Sequence, residues 1–278
     1  MEIKIDNPSL TKNGIPKIIH QTWKTKNVPK KWKKSEKEWK RLHPTWIYHL
    51  WTDKEIRDYI KKNHPDLLEI HDSYPYNIQR ADMIRYIVLH DFGGVYSDLD
   101  LYPVKNIESY LTNSTDYVVY SANSNCFTNA LMISKKGSII QYEAMKALKN
   151  KKPWWAIIKH LNVMCTTGPL MFHQVMRNTS QLYSILPQPL FNPYSITDNL
   201  NIEKDNVYIR TLEGSSWHSW DSSFINFVVK YKITFIILSI LLFFLIIFSI
   251  IYLIYKVRNM MVRVIKLKKT CGKVCKNL

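Results

Sequence analysis

The sequence predicts an α/β fold, in which strands and helices alternate around one sheet, followed by one membrane-spanning helix. Between residues 15 and 220, short apolar segments with strand character alternate with longer segments whose apolar residues recur at helical spacing. Residues 233–255 then carry no charge and are rich in Ile, Leu and Phe, and about 20 such residues are enough to cross a bilayer. The expected organisation is a lead at 1–14, an α/β domain at 15–222, the span at 233–255 and a basic tail at 256–278.

The first half of the domain shows the alternation clearly. Trp32, Trp39 and Leu42 recur at helical spacing, with Lys and Glu on the other side, and predict an amphipathic helix. Thr52 and Asp53 can accept hydrogen bonds from free amides, so a helix is expected to begin there. The predicted elements are a strand at 16–23, a helix at 28–42, a strand at 46–51 and helices at 53–60 and 78–90.

Gly93 and Gly94 end the helix at 78–90, because glycine can take a positive φ and let the chain reverse into a strand. Helices on both faces of the sheet are expected. The remaining predicted elements are a strand at 117–120, helices at 138–148 and 169–177, an extended loop around Pro187, Pro189 and Pro193, and a late strand at 207–210.

Two carboxylates, Asp98 and Asp100, stand at the end of the strand that follows the glycines. Side chains alternate across a strand, so these two are expected on one side and Leu99 on the other. Paired oxygen ligands suit Mg²⁺ or Mn²⁺, which commonly bridge to a substrate diphosphate. Ligands of α/β crossover sheets bind at the carboxyl ends of strands. The pair therefore predicts an enzyme that handles a phosphorylated donor.

The chain is strongly basic, with a formal net charge of +17. Eight basic residues and no acidic residue follow the predicted span. Such a tail is attracted to anionic lipid headgroups and favours the cytoplasmic side of the membrane, which would place the N-terminal domain in the lumen. Because about half of the excess charge adjoins a membrane span, nucleic acid is not expected as a partner.

Other signals bear on the orientation and on modification. Asn113 and Asn178 begin N-glycosylation acceptor triplets, which agree with a lumenal domain, whereas the first residues lack the apolar core of a signal peptide. Cys271 and Cys275 lie in the basic tail, where palmitoylation is a hypothesis.

Four segments carry a specific pattern: 15–23, 46–53, Arg80-Ala-Asp-x-x-Arg85 and Gly93-Gly-Val-Tyr-x-Asp-x-Asp100. They resemble the sugar-transferase family with an Asp-x-Asp motif, glycosyltransferase family 32, which includes the initiating α-1,6-mannosyltransferases. Segments 73–82, 167–170 and 214–218 are most similar to the catalytic subunits of inositol phosphoceramide mannosyltransferases. The resemblance covers residues 15–220.

This resemblance implies a GT-A fold, a nucleotide-sugar donor, a Mn²⁺ or Mg²⁺ cofactor and retention of configuration at the anomeric carbon. It also implies GDP-mannose as donor, inositol phosphoceramide as acceptor, a regulatory subunit as partner and a membrane of the ER or Golgi. One departure concerns the loop expected after the metal motif, where the ceramide-directed enzymes carry Asn-Asp and this chain has Asn129-Ala130. A glycan or protein acceptor, or another nucleotide sugar, is therefore the near alternative.

Asp98 and Asp100 are the predicted metal ligands, and the late His218 would complete the metal shell. Trp217 beside it would stack on the sugar or base, or fill the core. Asp82, on the helix before the glycines, is predicted to hold a sugar hydroxyl. The remaining charged residues of that helix, Arg80 and Arg85, are predicted to hold phosphate or to support a carboxylate.

Gln21, Thr22 and Trp23 follow the first strand, where the nucleotide lies in the resembled fold. Gln21 offers a donor and an acceptor, and Trp23 offers a stacking face, although a core position explains Trp23 equally well. Asn129 is predicted to bind hydroxyls of donor or acceptor, and Thr167 to contact the acceptor.

Two other classes of function compete. A metal-dependent phosphotransferase or nuclease would share the paired carboxylates, but the chain has no Walker loop. A non-catalytic, membrane-anchored protein that binds a sugar nucleotide is the second alternative. The sequence identifies no nucleophile, so front-face transfer and double displacement both stay open.

Overall fold

The structure, a computed structural model, describes residue 5 and residues 7–121, 126–191, 207–212 and 220–274. It divides into two compact units, Met1–Asp221 and Ser222–Leu278.

The first unit is built on a six-stranded mixed sheet with the strand order β2-β1-β3-β6-β5-β7. β1 runs parallel to β2 and to β3, β6 lies antiparallel between β3 and β5, and β5 is parallel to β7. A separate antiparallel pair joins β4 and β8. The strands are β1 (Ile18–Trp23), β2 (Ile47–Thr52), β3 (Gly94–Ser97), β4 (Leu101–Pro103), β5 (Asp116–Tyr120), β6 (Phe127–Ser134), β7 (Ser184–Leu186) and β8 (Ile209–Thr211).

Helices connect these strands, as expected for an α/β fold. They are α1 (Lys30–Leu42), α2 (Asp53–Asn63), α3 (Leu68–Ser73), α4 (Asn77–Asp91), α5 (Ile139–Ala147), α6 (Lys159–Thr166), α7 (Pro169–Asn178), α8 (Gln188–Phe191), α9 (Trp220–Lys230) and α10 (Lys232–Val274). Thr52 and Glu55 form a capping box at the start of α2, which confirms the predicted helix start.

Helices cover both faces of the sheet. Successive residues of β3 point to opposite faces: Val95 belongs to a core cluster that includes residues of α1 and α8, and Tyr96 to a cluster with residues of α2, α4, α5 and α7. Helix α4 lies in the second cluster and is buried around most of its surface. The helix therefore carries its polar side chains into the interior beside the sheet.

The turn from α4 into β3 confirms the prediction made for the glycines. Gly93 and Gly94 have φ values of 68° and 96°, a region that disfavours residues with a Cβ atom. A Cβ atom on Gly94 would lie 2.5 Å from the carbonyl oxygen of Ile18. Glycine is required here because β3 packs directly against β1.

Most predicted elements are confirmed within a few residues. The strands β4, β6 and β7 and the helices α3, α6 and α9 were not predicted. Strand β6 is buried along nearly its whole length, so it lacks the alternation that marks a half-exposed strand. The loop expected around Pro187 and Pro189 contains α8, because proline is tolerated in the first turn of a helix. Pro193 lies outside the described residues.

The second unit contains α10, whose residues Lys232–Met261 are long and apolar enough to cross a membrane. The predicted span at 233–255 lies inside this helix. Cys271 is also part of α10, while Cys275 lies outside the described residues.

Candidate active site

A cavity of about 520 Å³ lies where the parallel strands β1, β2 and β3 end. Trp23 is the last residue of β1, Asp53 follows β2, Asp98 follows β3, and all three line the cavity. The carboxyl ends of parallel strands are the usual ligand sites of α/β sheets, and the volume suits a small molecule. The cavity is also lined by the predicted site residues Thr22, Asp82, Arg85, Asp100 and Asn129.

Asp98 and Asp100 lie on a turn, not on a strand. β3 ends at Ser97, and the amide of Leu101 donates to the carbonyl oxygen of Asp98 at 3.0 Å. The alternation of side chains expected for a strand is therefore wrong for these residues, because a turn has no such alternation. Both carboxylates nevertheless reach the cavity, since the turn follows directly on the carboxyl end of β3.

Arg85 links the carboxylates of α4 and of the turn. Its Nη2 lies 2.7 Å from Oδ1 of Asp82, and its Nη1 lies 3.3 Å from Oδ1 of Asp98. Nη1 also donates to the carbonyl oxygen of Asn129 at 2.8 Å, and the guanidinium lies 4.6 Å from the ring centre of Tyr96. Burial alone lowers the pKa of Arg85, but the nearby Asp98, Tyr96 and Asp82 outweigh it and raise the pKa. Arg85 thus holds a permanent positive charge in the interior.

Asp82 is buried, and both of its carboxylate oxygens have partners. Oδ1 accepts from Arg85 and, at 3.3 Å, from Nδ2 of Asn129, while Oδ2 accepts from Oγ1 of Thr167 at 2.9 Å. Burial raises the pKa of Asp82 to about 6, although Arg85 and Thr167 oppose the shift. At neutral pH the carboxylate is mostly ionised and fixed in orientation.

Asp100 lines the cavity next to the negative charge of Asp98. Burial, and then the charge of Asp98, raise the pKa of Asp100 to about 7. Two neighbouring carboxylates that repel each other are stabilised by a divalent cation, and oxygen is the ligand that Mg²⁺ and Mn²⁺ prefer. The residues present therefore fit such a cation.

No group of three or more His, Cys, Asp and Glu side chains among the described residues could hold a metal. Two carboxylates completed by water and substrate phosphate are a common set for Mg²⁺. The predicted third ligand, His218, and its neighbour Trp217 lie outside the described residues.

Asn129 lies inside strand β6, which corrects the expectation of a loop after the metal motif. The amide of Asp98 donates to the carbonyl oxygen of Ala130 at 2.9 Å, so β6 runs beside the turn that carries the carboxylates. Nδ2 of Asn129 donates to Oη of Tyr86 at 2.9 Å as well as to Asp82. Asn129 therefore lines the cavity and also fixes the orientation of Asp82.

Gln21 is fully buried behind the turn and does not line the cavity. Its Nε2 donates to the carbonyl oxygen of Asp98 at 3.2 Å and to Oγ of Ser35 at 3.4 Å, and its Oε1 accepts from Oη of Tyr48 at 2.7 Å. Ser35 in turn donates to the carbonyl oxygen of Leu101 at 2.5 Å. The two side chains hold both ends of the turn that carries Asp98 and Asp100.

Thr22 and Trp23 line the cavity, and their contact with a nucleotide stays a prediction. Oγ1 of Thr22 shares a hydrogen bond of 3.1 Å with Oη of Tyr96. The ring of Trp23 packs edge-on against Trp32, with 5.2 Å between ring centres. Both residues belong to the wall of the cavity.

Arg80 contacts the chain that precedes α4 and does not line the cavity. Its guanidinium donates to the carbonyl oxygens of His71 and Tyr74 and to Oδ1 of Asn77. These contacts shape the segment before α4, and a contact of Arg80 with phosphate stays a prediction.

Two contributions to the site were not foreseen from the sequence. Oη of Tyr96 donates to Oδ1 of Asp98 at 2.8 Å, and the signal was the Tyr two residues before the first Asp of the motif. Thr167, which was predicted to contact the acceptor, is fully buried and bonded to Asp82, and no signal in the sequence connects these two residues.

The chain is similar in sequence to known proteins. Residues 29–119 match the family described as "Glycosyltransferase sugar-binding region containing DXD motif". Three similar proteins are fungal enzymes. Inositol phosphoceramide mannosyltransferase 3 of Schizosaccharomyces pombe is 33% identical over 81% of this chain and 62% of its own length. Inositol phosphoceramide mannosyltransferase 2 of the same yeast is 37% identical over 76% of this chain and 60% of its own length.

Mannosyl phosphorylinositol ceramide synthase CSH1 of Saccharomyces cerevisiae is 33% identical over 76% of this chain and 55% of its own length. The chain thus spans less than two thirds of each of these three proteins. The resemblance seen in the sequence is confirmed.

Proposed function

We propose that this chain is a metal-dependent hexosyltransferase, since its residues 29–119 match the DXD-motif glycosyltransferase family. The proposed reaction moves mannose from GDP-mannose to inositol phosphoceramide, with retention of configuration. The observation that carries the proposal is the pair Asp98 and Asp100 in one cavity with the buried Asp82–Arg85 pair. The names of the similar proteins support mannose and the lipid acceptor.

In this proposal Asp98 and Asp100 hold Mn²⁺ or Mg²⁺, with His218 as a further ligand. The ion supplies charge neutralisation for the diphosphate as the nucleotide departs. Arg85 and Tyr96 bind Oδ1 of Asp98 and so fix the direction of its carboxylate.

The donor occupies the cavity between the turn and the end of β1. Trp23 and Thr22 contact the nucleotide, and the Trp23–Trp32 packing keeps the indole of Trp23 in place. Gln21 and Arg80 contribute by holding the turn and the segment before α4. Asn129 lies beside Asp82 on the cavity wall and binds sugar hydroxyls.

Asp82 is a poor candidate for a nucleophile. Arg85, Asn129 and Thr167 bind both of its oxygens, and a hydrogen-bonded, paired carboxylate has reduced nucleophilicity. We therefore assign Asp82 to orienting a sugar hydroxyl and favour front-face transfer. In that route the acceptor oxygen attacks the anomeric carbon, the bond to the phosphate oxygen breaks, and that oxygen takes the acceptor proton.

The membrane assignment rests on α10 and on the basic residues that follow its apolar part. We propose a secretory-pathway membrane, of the Golgi or ER, with the catalytic unit in the lumen and the tail in the cytoplasm. We also propose that a regulatory subunit binds to this chain.

The test uses the full chain in proteoliposomes that contain inositol phosphoceramide. The protein is supplied with Mn²⁺ and, in turn, with GDP-mannose and several UDP-sugars, and both nucleotide release and the lipid product are measured. Product is expected only with GDP-mannose, the lipid and the metal. Asp98→Asn and Asp100→Asn are each expected to lower the rate by at least about 100-fold, since each weakens charge stabilisation worth several kcal/mol.

Asp58→Asn is the matched control, because Asp58 is an exposed carboxylate on α2 that pairs with Lys54 at 2.9 Å. It is expected to leave the rate unchanged. Full turnover of Asp98→Asn, or transfer without added metal after chelation, would contradict the metal proposal. Product from a UDP-sugar would contradict the assignment of the donor.

A further inference from the structure

The connection between α5 and α6 exposes large apolar side chains. Trp154, Trp155 and Ile157 are 86%, 47% and 73% exposed. Neighbouring exposed tryptophans are unusual on a surface that faces only water. We call residues 153–158 the aromatic loop.

The aromatic loop is an ordered turn. The amide of Ala156 donates to the carbonyl oxygen of Pro153 at 3.0 Å, and the amide of Ile157 donates to that of Trp155 at 2.9 Å. Ala156 is fully buried. The backbone is thus anchored, and the two indole rings point outward from a fixed base.

The chain around the aromatic loop is basic. No Asp or Glu occurs between Glu143 and Asp198. At the start of this stretch Lys146 pairs with Glu143 at 3.2 Å, and Lys149 pairs with Asp66 at 2.8 Å across an exposed surface. The lysines on both sides of the loop are Lys146, Lys149, Lys151, Lys152 and Lys159.

The aromatic loop leads directly into the wall of the candidate active site. Lys159, the first residue of α6, and Val163 one turn later both line the cavity. Nζ of Lys159 lies 5.8 Å from the ring centre of Tyr76, another residue of the wall. Any surface that holds the aromatic loop therefore also lies beside the cavity.

The start of α6 is linked to the chain that enters the span. Oδ2 of Asp221 accepts from the amide of His160 at 2.7 Å. Asp221 is followed, within a short stretch of chain, by α10 with its membrane-spanning residues. The candidate membrane span therefore follows Asp221 closely in the sequence.

We propose that the aromatic loop inserts into the headgroup region of an anionic lipid bilayer. Tryptophan favours this region because its ring is apolar and its N–H is polar. Lysines near the surface gain free energy from anionic lipids. Insertion holds the cavity at the surface from which a lipid acceptor enters; this consequence rests on the proposed transfer to a lipid, while the insertion itself rests on the proposed membrane span and not on the transfer.

The test places a fluorescent probe on the loop. Trp154→Cys in the full chain is labelled with an environment-sensitive dye and reconstituted in phosphatidylcholine vesicles with and without phosphatidylserine. Lys62→Cys, an exposed position on α2, is the matched control, and the labelled parent chain gives the background of the four native cysteines. A blue shift and quenching by a shallow nitroxide lipid are expected for residue 154, strongest with phosphatidylserine, and neither for residue 62.

Lys151→Glu combined with Lys152→Glu is expected to remove the increase that phosphatidylserine produces. The proposal is overturned if the probe at 154 behaves like the probe at 62 in every lipid. It is also overturned if the shift appears without lipid quenching and persists in detergent, because a second copy or another subunit then covers the loop. The measurement needs no donor or turnover, so its outcome is independent of the outcome for transfer.

Discussion

Asp82 and Arg85 form a buried ion pair within α4, with 2.7 Å between Oδ1 and Nη2. The pair is nearly sealed from water, at 3% and 2% exposure. Because Arg85 also contacts Asp98, the charge balance of the helix and that of the turn depend on one guanidinium.

Arg85→Met is expected to lower the free energy of unfolding by about 3–5 kcal/mol, since it leaves a buried carboxylate without its partner. Arg85→Lys is expected to recover part of the stability and little of the activity, because an ammonium lacks the planar fork. Thermal unfolding of the full chain in detergent and the transfer assay measure these effects. Arg57→Met removes a comparable but exposed pair with Asp72 and is expected to change the melting temperature little. Equal losses for both arginines would contradict the role of burial.

Gln21→Leu is expected to raise the Mn²⁺ concentration that gives half-maximal activity, because the turn with Asp98 loses its support. It also removes the hydrogen bond from Nε2 of Gln21 to the carbonyl oxygen of Asp98 and takes the acceptor from the partly buried hydroxyl of Tyr48, a cost of about 1–3 kcal/mol. Gln181→Leu, in which an exposed glutamine is replaced, serves as the control. A lower melting temperature with an unchanged metal requirement would show that Gln21 supports only the fold.

Gly94→Ala is expected to destabilise the chain by a few kcal/mol. Its φ of 96° is strained for alanine, and the new Cβ would meet Ile18 at 2.5 Å. Gly137 has a similar positive φ of 71°, but nothing lies within 4 Å of its added Cβ. Comparing the melting temperatures of Gly94→Ala and Gly137→Ala separates the clash from the backbone strain. Similar losses would mean that β1 and β3 are not packed as closely as the structure shows.

His20 predicts a pH dependence of stability. It is fully buried, its Nε2 lies 2.9 Å from the carbonyl oxygen of Gly93, and its Nδ1 accepts from Nε1 of Trp51 at 3.1 Å. Burial lowers the pKa of His20 to about 3. Below about pH 6.5 the imidazole of His20 is therefore protonated in the unfolded chain but stays neutral in the folded chain. The contribution of His20 to the free energy of unfolding is fully present above that pH and decreases as the pH is lowered toward 3.

Between pH 6.5 and 5, the buried His20 is expected to lower the free energy of unfolding by an amount that approaches about 1.4 kcal/mol for each pH unit of acidification. His20→Gln removes this contribution, and its melting temperature should decline less steeply over the same range. The nitrogen chemical shifts of the His20 ring give a direct check. A charged ring at pH 5 in the folded protein would contradict the prediction.

The order of the early elements was predictable from local signals. Thr52 marks the start of α2, and Gly93 and Gly94 mark the turn into β3, because capping and positive φ depend only on residues close in sequence. The span at 233–255 was equally clear, since bilayer thickness sets its length.

The sequence predicted which residues line the site better than it predicted how these residues are arranged. Asp98 and Asp100 were recognised, but the reason given for their proximity applied to a strand, and the structure has a turn. Asn129 was expected in a loop and lies in β6, a strand buried along nearly its whole length.

The sequence by itself determined which side chains supply charge and which segments turn, cap a helix or are apolar enough to cross a membrane, because these properties depend on residues close in sequence. Only the tertiary structure decided that Thr167 meets Asp82 and that Gln21 and Ser35 hold the two ends of one turn. The physical reason is that strand order brings together groups far apart along the chain, and a hydrogen bond depends on their distance in space, which no local pattern encodes.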